Sequence, residues 1–416
     1  MTNLATATTS RRNTLVERVT RSWLYIGLIG IGLVSFVRIV TDTDDLTGAG
    51  TIRAAIIATC PILAAALGGL WAERAGVVNI GLEGQMILGT WGAAFFTYHY
   101  GPWVGIIGAA LLGLIGGLLH AIATVTFGVD HIVSGVAINL IGAGAATYLA
   151  EAIFPEYEGG GPRQLNGLEA PAQITIPGVS DLANTVADKH WFFVSDVASF
   201  IQALTTNIST LSLFVFALVI VSALVLWRTS FGLRLRSCGE NPQAAETLGV
   251  NVYRYKYIAV LISGALAGIG GGFLALVSSS GFSTGQTGGR GYIGLAAMIF
   301  GNWRPGGLLA GALTFGYTDS LRLRDTDSVH ALLLLVGIGL LAFAAYRAFR
   351  RQVKGAVVIA VIAVAVLVWF LTTDSVPREF TVMTPYVTTL FVLALGAQRL
   401  RMPAADGKPY RKGSAG

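Results

Sequence analysis

Charged residues are scarce in this chain of 416 residues. Only 12% of the residues are charged, while 54% are hydrophobic, and ordinary soluble domains have a charged share of roughly 25%. This deficit excludes a water-soluble globule. Cysteine is also rare: Cys60 is expected in a membrane segment and Cys238 in a cytoplasmic loop. The two cysteines therefore cannot form a disulfide framework.

Several motifs that would indicate an enzyme are missing. The chain has no phosphate-binding loop of the G-x-x-x-x-G-K-[ST] type, so we expect it not to hydrolyse ATP. We also expect this chain to bind no cofactor of its own. It has no H-E-x-x-H motif, and its histidines show no metal-ligand spacing. GFSTG at 281–285 matches the G-x-S-x-G pattern of hydrolases. We expect this match to be a coincidence, because the string follows a predicted membrane helix and not a strand that leads into a helix. An intramembrane hydrolase that uses Ser283 is one rival hypothesis.

The chain does contain a succession of apolar segments. Each approaches the length of about 20 residues that a helix needs to cross the hydrocarbon core. The predicted spans are 22–41, 54–72, 85–98, 103–126, 132–154, 209–227, 257–279, 306–320, 329–346, 355–373 and 382–398, with a shorter apolar piece at 292–301. The pattern predicts an all-α polytopic membrane protein with about 10–12 transmembrane helices in a domain over 22–400.

The distribution of Lys and Arg predicts the orientation of these spans. Most of the basic residues fall in segments on one side of the predicted membrane, and such segments stay cytoplasmic. Both termini are therefore expected inside, as tails over 1–21 and 401–416. The segment 155–208 becomes an external loop and 228–256 a cytoplasmic loop. The net charge of +6 follows this pattern and implies no nucleic-acid partner.

Two similar strings indicate an internal repeat. Residues 80–91 read IGLEGQMILGTW, and residues 293–303 read IGLAAMIFGNW. They are preceded by GGLWA at 68–72 and GGFLA at 271–275. The predicted topology runs the two copies in opposite directions, which makes an inverted repeat, and transporters place their solute path at such interfaces. The alternative is that glycine-rich apolar strings resemble one another by composition.

Four polar residues are candidates for the solute pathway. Glu83 lies at the entrance of the third predicted span, beside Asn79 and Gln85, and Asn139 lies in the fifth. An ionisable group at membrane depth is by default a functional candidate. Glu83 could instead bind backbone N–H groups at a helix start, and Asn139 could instead bond a neighbouring helix.

The cytoplasmic loop over 228–256 predicts a short capped helix. Asn241 suits the N-cap, Pro242 suits the first turn, and Gly249 suits the left-handed stop. Ala244 and Ala245 give this helix small side chains that could fit a groove on another protein. The alternative is a simple connector, although connectors seldom need both caps.

Three strings carry a family resemblance: GLWAERAGVVNIGLEGQM, GENPQAAETLG and TGGRGYIGLAAMIFGNWRP. With them, the chain resembles the permease subunits of bacterial and archaeal ABC importers for nucleosides and simple sugars. The string from Gln243 to Gly249 is similar to the E-A-A-x-x-x-G signature of importer permeases, with Gln in place of Glu. The resemblance implies an ATPase-coupling helix that comprises Arg236, Glu240, Asn241, Pro242, Gln243, Ala244, Ala245 and Gly249.

The resemblance also implies partners. They are a second permease subunit, two ABC ATPase subunits that hold ATP and Mg²⁺, and an external lipid-anchored solute-binding protein. The expected cargo is a nucleoside, slightly ahead of a simple sugar, moved across a prokaryotic cell membrane. The chain departs from the family in two extra hydrophobic segments over 325–376. A proton-coupled secondary transporter that uses Glu83 is the main alternative.

Overall fold

The computed structural model describes residues 30–189, 191–322, 326–377, 380, 381, 383 and 400–413. The chain divides into two compact units. The larger unit comprises Arg53–Ile174, Asn207–Ser320 and Met383–Gly416, and the smaller unit comprises Met1–Ile52, Thr175–Thr206 and Leu321–Val382. The predicted span 382–398 and the start of the predicted span 22–41 lie outside the described residues, apart from residue 383 in the former.

The described helices are, in chain order, α1 (Gly30–Thr41), α2 (Ala49–Arg74), α3 (Leu82–Tyr100), α4 (Pro102–Ala121), α5 (His131–Ile153), α6 (Val179–Ala187), α7 (Val194–Thr205), α8 (Thr210–Arg228), α9 (Ser230–Glu240), α10 (Pro242–Thr247), α11 (Val252–Phe273), α12 (Arg290–Phe300), α13 (Pro305–Arg322), α14 (Thr326–Phe349) and α15 (Val353–Thr372). The strands are β1 (Gly160–Gly161), β2 (Gln164–Asn166), β3 (Gln173–Ile174), β4 (Ile208–Ser209) and β5 (Gly281–Ser283). Short 3-10 turns cover Asp44–Leu46 and Phe154–Glu156, and π-helical turns at Ile122–Thr126 and Leu274–Ser278 extend α4 and α11.

Among the described residues, seven helical segments are long and apolar enough to cross a membrane. They are Asp44–Arg74, Pro102–Thr126, His131–Glu156, Thr210–Arg228, Val252–Ser278, Asp327–Phe349 and Val353–Thr372. The predicted polytopic helical fold is confirmed. Helix α3 is not one of the seven, because polar residues such as Glu83, Gln85 and Thr90 make it less apolar than they are.

The core of the larger unit lies around α2, α3 and α11. In the most apolar stretch of 18 residues, 83% of the residues are buried in the segment that contains α2 and 78% in the segment that contains α11. Helices α4 and α11 approach closely, because a Cβ added at Gly113 of α4 would lie 2.7 Å from the Cα of Gly268. Such contacts between small residues are how helices pack in a lipid environment.

Short strands within the segment 155–208, which the sequence predicts as an external loop, pair with each other and with strands at or beyond its end. Strands β1, β2 and β5 form one antiparallel sheet, in which Leu165 pairs with Phe282. The side chain of Phe282 packs edge-on against Phe154 at 5.3 Å between ring centroids. Strands β3 and β4 form a second antiparallel pair. This hydrogen bonding and aromatic packing hold part of the segment against the larger unit.

The smaller unit contains α1, α6, α7, α14 and α15. Helices α6 and α7 lie within 155–208, where hydropathy predicts no span. A buried ion pair joins α1 to α7, with Arg38 Nη1 at 2.8 Å from Asp196 Oδ1. Helices α14 and α15 account for the extra segments predicted over 325–376 and pack side by side, with His330 stacked on Phe370 at 4.7 Å.

Candidate functional site

The two repeat copies meet in the larger unit through exchanged contacts. The Gly-Gly pair of α11 packs on the first copy, because a Cβ added at Gly271 would lie 3.0 Å from the carbonyl carbon of Met86. The Gly-Gly pair of α2 packs on the second copy, because a Cβ added at Gly69 would lie 3.1 Å from the Sδ of Met298. Met86 and Met298 occupy matching places in the two strings. This reciprocity is expected of repeats related by a two-fold axis.

Glu83 joins the first copy to the second. Its side chain is 6% exposed in total, and its carboxylate accepts hydrogen bonds from Gly289 N at 2.9 Å and Gly291 N at 2.7 Å. These amides open helix α12, and a carboxylate is favoured at such a helix start. Gly291 leaves the necessary room, since a Cβ there would lie 2.6 Å from the Cα of Glu83. Glu83 therefore fixes the start of α12.

Asn139 joins three helices at the same junction. Its Oδ1 accepts a hydrogen bond from Gly84 N at 2.7 Å, and its Nδ2 donates to Ile80 O at 3.1 Å and to the Tyr292 hydroxyl at 2.9 Å. Residues of α5, the first copy and α12 are thus tied through one side-chain amide. Tyr292 is 47% exposed, so its ring offers an aromatic surface beside this network.

Asn79 and Gln85 complete the buried network. Asn79 Nδ2 donates to Gln85 Oε1 at 3.0 Å and to Ser263 Oγ at 2.8 Å. Both residues are fully buried. The two repeat copies meet where Glu83 bonds to Gly289 and Gly291, and we call this place the repeat junction. The four predicted pathway residues lie close to it, but their polar atoms bond to the protein itself. Tyr292 lies in the family string TGGRGYIGLAAMIFGNWRP, but nothing in the sequence marks Tyr292 or Ser263 as a member of this network.

A second polar cluster ties the end of α2 to the turn after α12. Trp303 Nε1 donates to Glu73 Oε2 at 2.5 Å, and Arg74 donates to Trp303 O from Nε at 3.0 Å and from Nη2 at 2.6 Å. Arg74 Nη1 also lies 3.8 Å from Glu240 Oε1 at the end of α9. The cluster therefore connects α2, the second repeat copy and the segment that precedes α10.

Helix α10 has the caps that the sequence predicts. Asn241 Oδ1 accepts a hydrogen bond from Ala244 N at 2.9 Å, Pro242 occupies the first turn, and Gly249 has a φ of +81°. The outer face is formed by Gln243, Ala244, Thr247 and Leu248, and Leu248 is 85% exposed.

The exposure predicted for Ala245 is wrong. Ala245 is 2% exposed and packs in a cluster with Cys238 and Val252, because it lies on the side of α10 that faces α9 and α11. Arg236 also lies at the base of the loop, where Arg236 Nε donates to Leu226 O at 2.9 Å. Leu248, which the sequence analysis did not single out, presents the largest apolar side chain on the outer face.

Ser283 lies in β5 and not at a strand-to-helix elbow. Its backbone pairs with β2, and Ser283 N donates to Gln286 Oε1 at 3.1 Å. Helix α12 begins only after the following turn. The geometry gives no support to the hydrolase hypothesis, since a nucleophile elbow requires the serine at the turn itself.

Residues 51–345 match the model of the family described as branched-chain amino acid transport system / permease component. The chain belongs to this family, and its apolar helices make it a multi-pass protein of the cell membrane. The predicted resemblance to importer permeases is confirmed.

Three curated proteins show how similar the chain is to individual family members. The guanosine ABC transporter permease protein NupQ of Bacillus subtilis is 33% identical over 370 residues, which are 87% of this chain and 96% of NupQ. The nucleoside ABC transporter permease protein NupC of Lactococcus lactis is 34% identical over 86% of this chain and 95% of NupC. The putative glucose ABC transporter permease protein TsgC13 of Haloferax volcanii is 32% identical over 67% and 78%. No solved structure matches the chain.

Proposed function

We propose that this chain is the permease subunit of an ATP-binding-cassette importer that carries nucleosides. The likeness to NupQ, which extends over 96% of that protein, is the observation that carries the proposal. The exposed, doubly capped helix α10 supports it, because an ATPase-driven permease needs a compact element for the ATPase to grip. ATP and Mg²⁺ would be bound by the ATPase subunits, and this chain would carry no catalytic residue of its own.

Leu248, the C-cap residue of α10, is the residue best placed to enter a groove on the ATPase. Leu248 is 85% exposed, and burial of a leucine side chain that is otherwise exposed is favourable by about 1.5 to 3 kcal/mol. The inward face of α10 rests on α9 and α11 through Ala245. A displacement of Leu248 would therefore be transmitted to the start of α11, and the other end of α11 packs at the repeat junction.

The cargo assignment rests on the printed names of NupQ and NupC together with Tyr292. A nucleobase stacked on an aromatic side chain gains about 1 to 3 kcal/mol, and the half-exposed ring of Tyr292 is held in place by Asn139. A simple sugar, the alternative suggested by the name of TsgC13, has no aromatic ring to stack. We therefore place nucleosides ahead of sugars.

The remaining partners follow from the same proposal. A second permease subunit would complete the pathway on the exposed side of Tyr292. A lipid-anchored solute-binding protein would deliver the solute from outside, with both termini of this chain inside the cell. The hydrogen bonds of Glu83 to two helix-start amides favour a positioning role over the proton site of a secondary transporter.

Uptake measurements test the function directly. Cells that lack the gene should lose uptake of radiolabelled guanosine or inosine at low concentration, and the gene should restore it only when functional ATPase subunits are present. Tyr292→Leu should lower nucleoside uptake more than Tyr292→Phe, which keeps the ring. Uptake of ribose or glucose instead of nucleosides would move the assignment to sugars, and uptake without the ATPase would support a secondary transporter.

A further inference from the structure

The C-terminal tail, defined here as residues 400–413, lies against three parts of the larger unit. Arg401 N donates to Asn302 Oδ1 at 2.7 Å, in the turn after α12. Ala404 N donates to Glu240 Oε2 at 3.3 Å and Ala405 N donates to Gly239 O at 2.9 Å, both at the end of α9. The tail thus begins with backbone hydrogen bonds to two separate elements.

The middle of the tail packs on the connection between α2 and α3. Asp406 is buried next to Glu73. A Cβ added at Gly76 would lie 3.3 Å from Ala405 O, and one added at Gly407 would lie 3.4 Å from a methyl group of Val78. The connection leads directly to Asn79 and then to α3, so this part of the tail lies close to the start of the repeat junction.

The end of the tail packs under the predicted coupling helix. The ring of Tyr410 joins the cluster of Cys238, Ala245 and Val252, which forms the floor of α10. It also lies 5.4 Å from the ring of Tyr253 on α11 and interacts with Glu246 of α10. Tyr410 is therefore part of the surface on which α10 rests.

One more side chain connects these contacts. Lys256 Nζ donates to Gly76 O at 3.3 Å and lies 5.9 Å from the centre of the Tyr410 ring. The ring beneath α10 and the α2–α3 connection are thus joined through the tail on one side and through Lys256 on the other. A displacement of α10 would move both together, because interiors packed this closely transmit strain.

We propose that the C-terminal tail is a transmission element that couples movement of α10 to the α2–α3 connection, with Tyr410 as its positioning residue. This inference rests on the proposed function, since it takes α10 as the contact of the ATPase. The ring of Tyr410 would keep α10, Val78 and Asn79 moving as one body during ATP hydrolysis. Loss of the ring would leave the ATPase able to bind α10 but unable to move the repeat junction.

Cys238 offers a direct probe of whether the tail is seated. It is fully buried beneath α10 and beside Tyr410, and Cys60 is the other cysteine of the chain. In a Cys60→Ala background, a maleimide reagent would therefore report exposure of Cys238 alone. Each 1.4 kcal/mol by which tail docking is weakened should speed labelling about tenfold.

The experiment compares three variants in the full chain. Tyr410→Ala should speed labelling of Cys238 by about tenfold or more, if loss of the ring weakens docking by at least 1.4 kcal/mol. Tyr410→Phe keeps the ring and should label slowly. Tyr100→Ala is the matched control, because Tyr100 is an exposed tyrosine at the end of α3, and it should label like the parent. If Tyr410→Ala does not accumulate in the membrane, Tyr253→Ala removes the opposing ring.

The second readout uses the assembled transporter. Tyr410→Ala should lose guanosine uptake and the stimulation of ATP hydrolysis by guanosine, while basal ATP hydrolysis persists, and Tyr410→Phe should retain all three. Slow labelling in Tyr410→Ala would overturn the proposal, as would fast labelling with normal uptake. If the parent complex neither transports nor responds to guanosine, the proposed function fails, and the labelling result still decides whether the tail is seated on α10.

Discussion

The repeat junction and α10, the predicted coupling helix, place their polar and apolar side chains in opposite ways. At the junction, Glu83 and Asn139 are buried and bond to backbone groups of neighbouring segments. On α10 the polar cap of Asn241 is satisfied locally, while Leu248 stands exposed. A charged residue inside a membrane protein can therefore serve the architecture, and an exposed apolar residue on a short helix can serve an interface.

Removal of the Glu83 carboxylate should have the largest effect on the fold. Glu83→Ala would leave two buried amides without an acceptor, and we expect a loss of about 3 kcal/mol or more. The thermal unfolding midpoint in detergent should fall clearly for Glu83→Ala and less for Glu83→Gln. Glu151→Ala is the control, because the Glu151 side chain is 48% exposed.

The Glu83→Gln variant also tests whether Glu83 serves the architecture or binds a proton during transport. If Glu83→Gln unfolds at the normal temperature and transports at the normal maximal rate, but loses the pH response of uptake, Glu83 is a proton site. Glu83 would then take part in proton-coupled transport, and the interpretation of Glu83 as a positioning residue of an ATP-driven importer would be wrong.

Exchange of Leu248 for Asp should separate folding from assembly. A substitution at so exposed a site should change the unfolding free energy by no more than about 0.5 kcal/mol, yet it should abolish co-purification of the ATPase. Ala245→Arg should instead clearly lower the free energy of unfolding, because it forces a charge into the cluster beneath α10. Leu182→Asp, at an exposed leucine of α6, should leave co-purification intact. ATPase binding by Leu248→Asp would remove α10 from the interface.

Asp406 should make the stability of the larger unit depend on pH. Burial raises the pKa of Asp406 to about 7, although a hydrogen bond with Glu73 and the positive charges of Lys256 and Arg74 offset part of the rise. Because the folded state binds the proton more tightly, stability should fall as the pH rises from about 4 to about 7, and then level off.

The comparison with Asp406→Asn isolates that effect. The asparagine variant does not titrate, so its unfolding midpoint should exceed that of the parent by a growing margin up to about pH 7. Midpoints measured at several pH values between 5 and 8 give the margin. A constant margin would show that Asp406 binds protons alike in the folded and unfolded chain over this range, and it would contradict the prediction.

Loss of the α10 cap should give the smallest effect. Asn241→Ala removes one N-cap hydrogen bond and should destabilise the helix by about 1 kcal/mol. Hydrogen exchange of the α10 amides should then accelerate about fivefold, and Asn241→Ser should restore protection. Equal exchange in all three proteins would mean that tertiary contacts, and not the cap, hold α10.

Local patterns predicted the helices well. The apolar runs at 103–126 and 355–373 nearly coincide with α4 and its π-helical extension and with α15. The run at 257–279 missed residues 252–256 of α11, which begins at Val252 after the Asn251 cap. These residues include Lys256, whose burial depends on Gly76 and on the C-terminal tail. A hydropathy pattern cannot register such a distant partner.

The site was predictable only in part for the same reason. Asn241, Pro242 and Gly249 all lie within the short segment 241–249, so their roles follow from local rules. The acceptor role of Glu83 depends on Gly289 and Gly291, more than two hundred residues further along the chain. The burial of Ala245 likewise depends on how α10 folds back on Cys238 and Val252.

Helix starts are places where proteins readily bind phosphate groups. In this chain the start of α12 is already filled by the carboxylate of Glu83, so a phosphorylated solute would meet a like charge there. Under the proposed function, the start of α12 could therefore not also hold the phosphate group of a solute, because its amides already donate to Glu83.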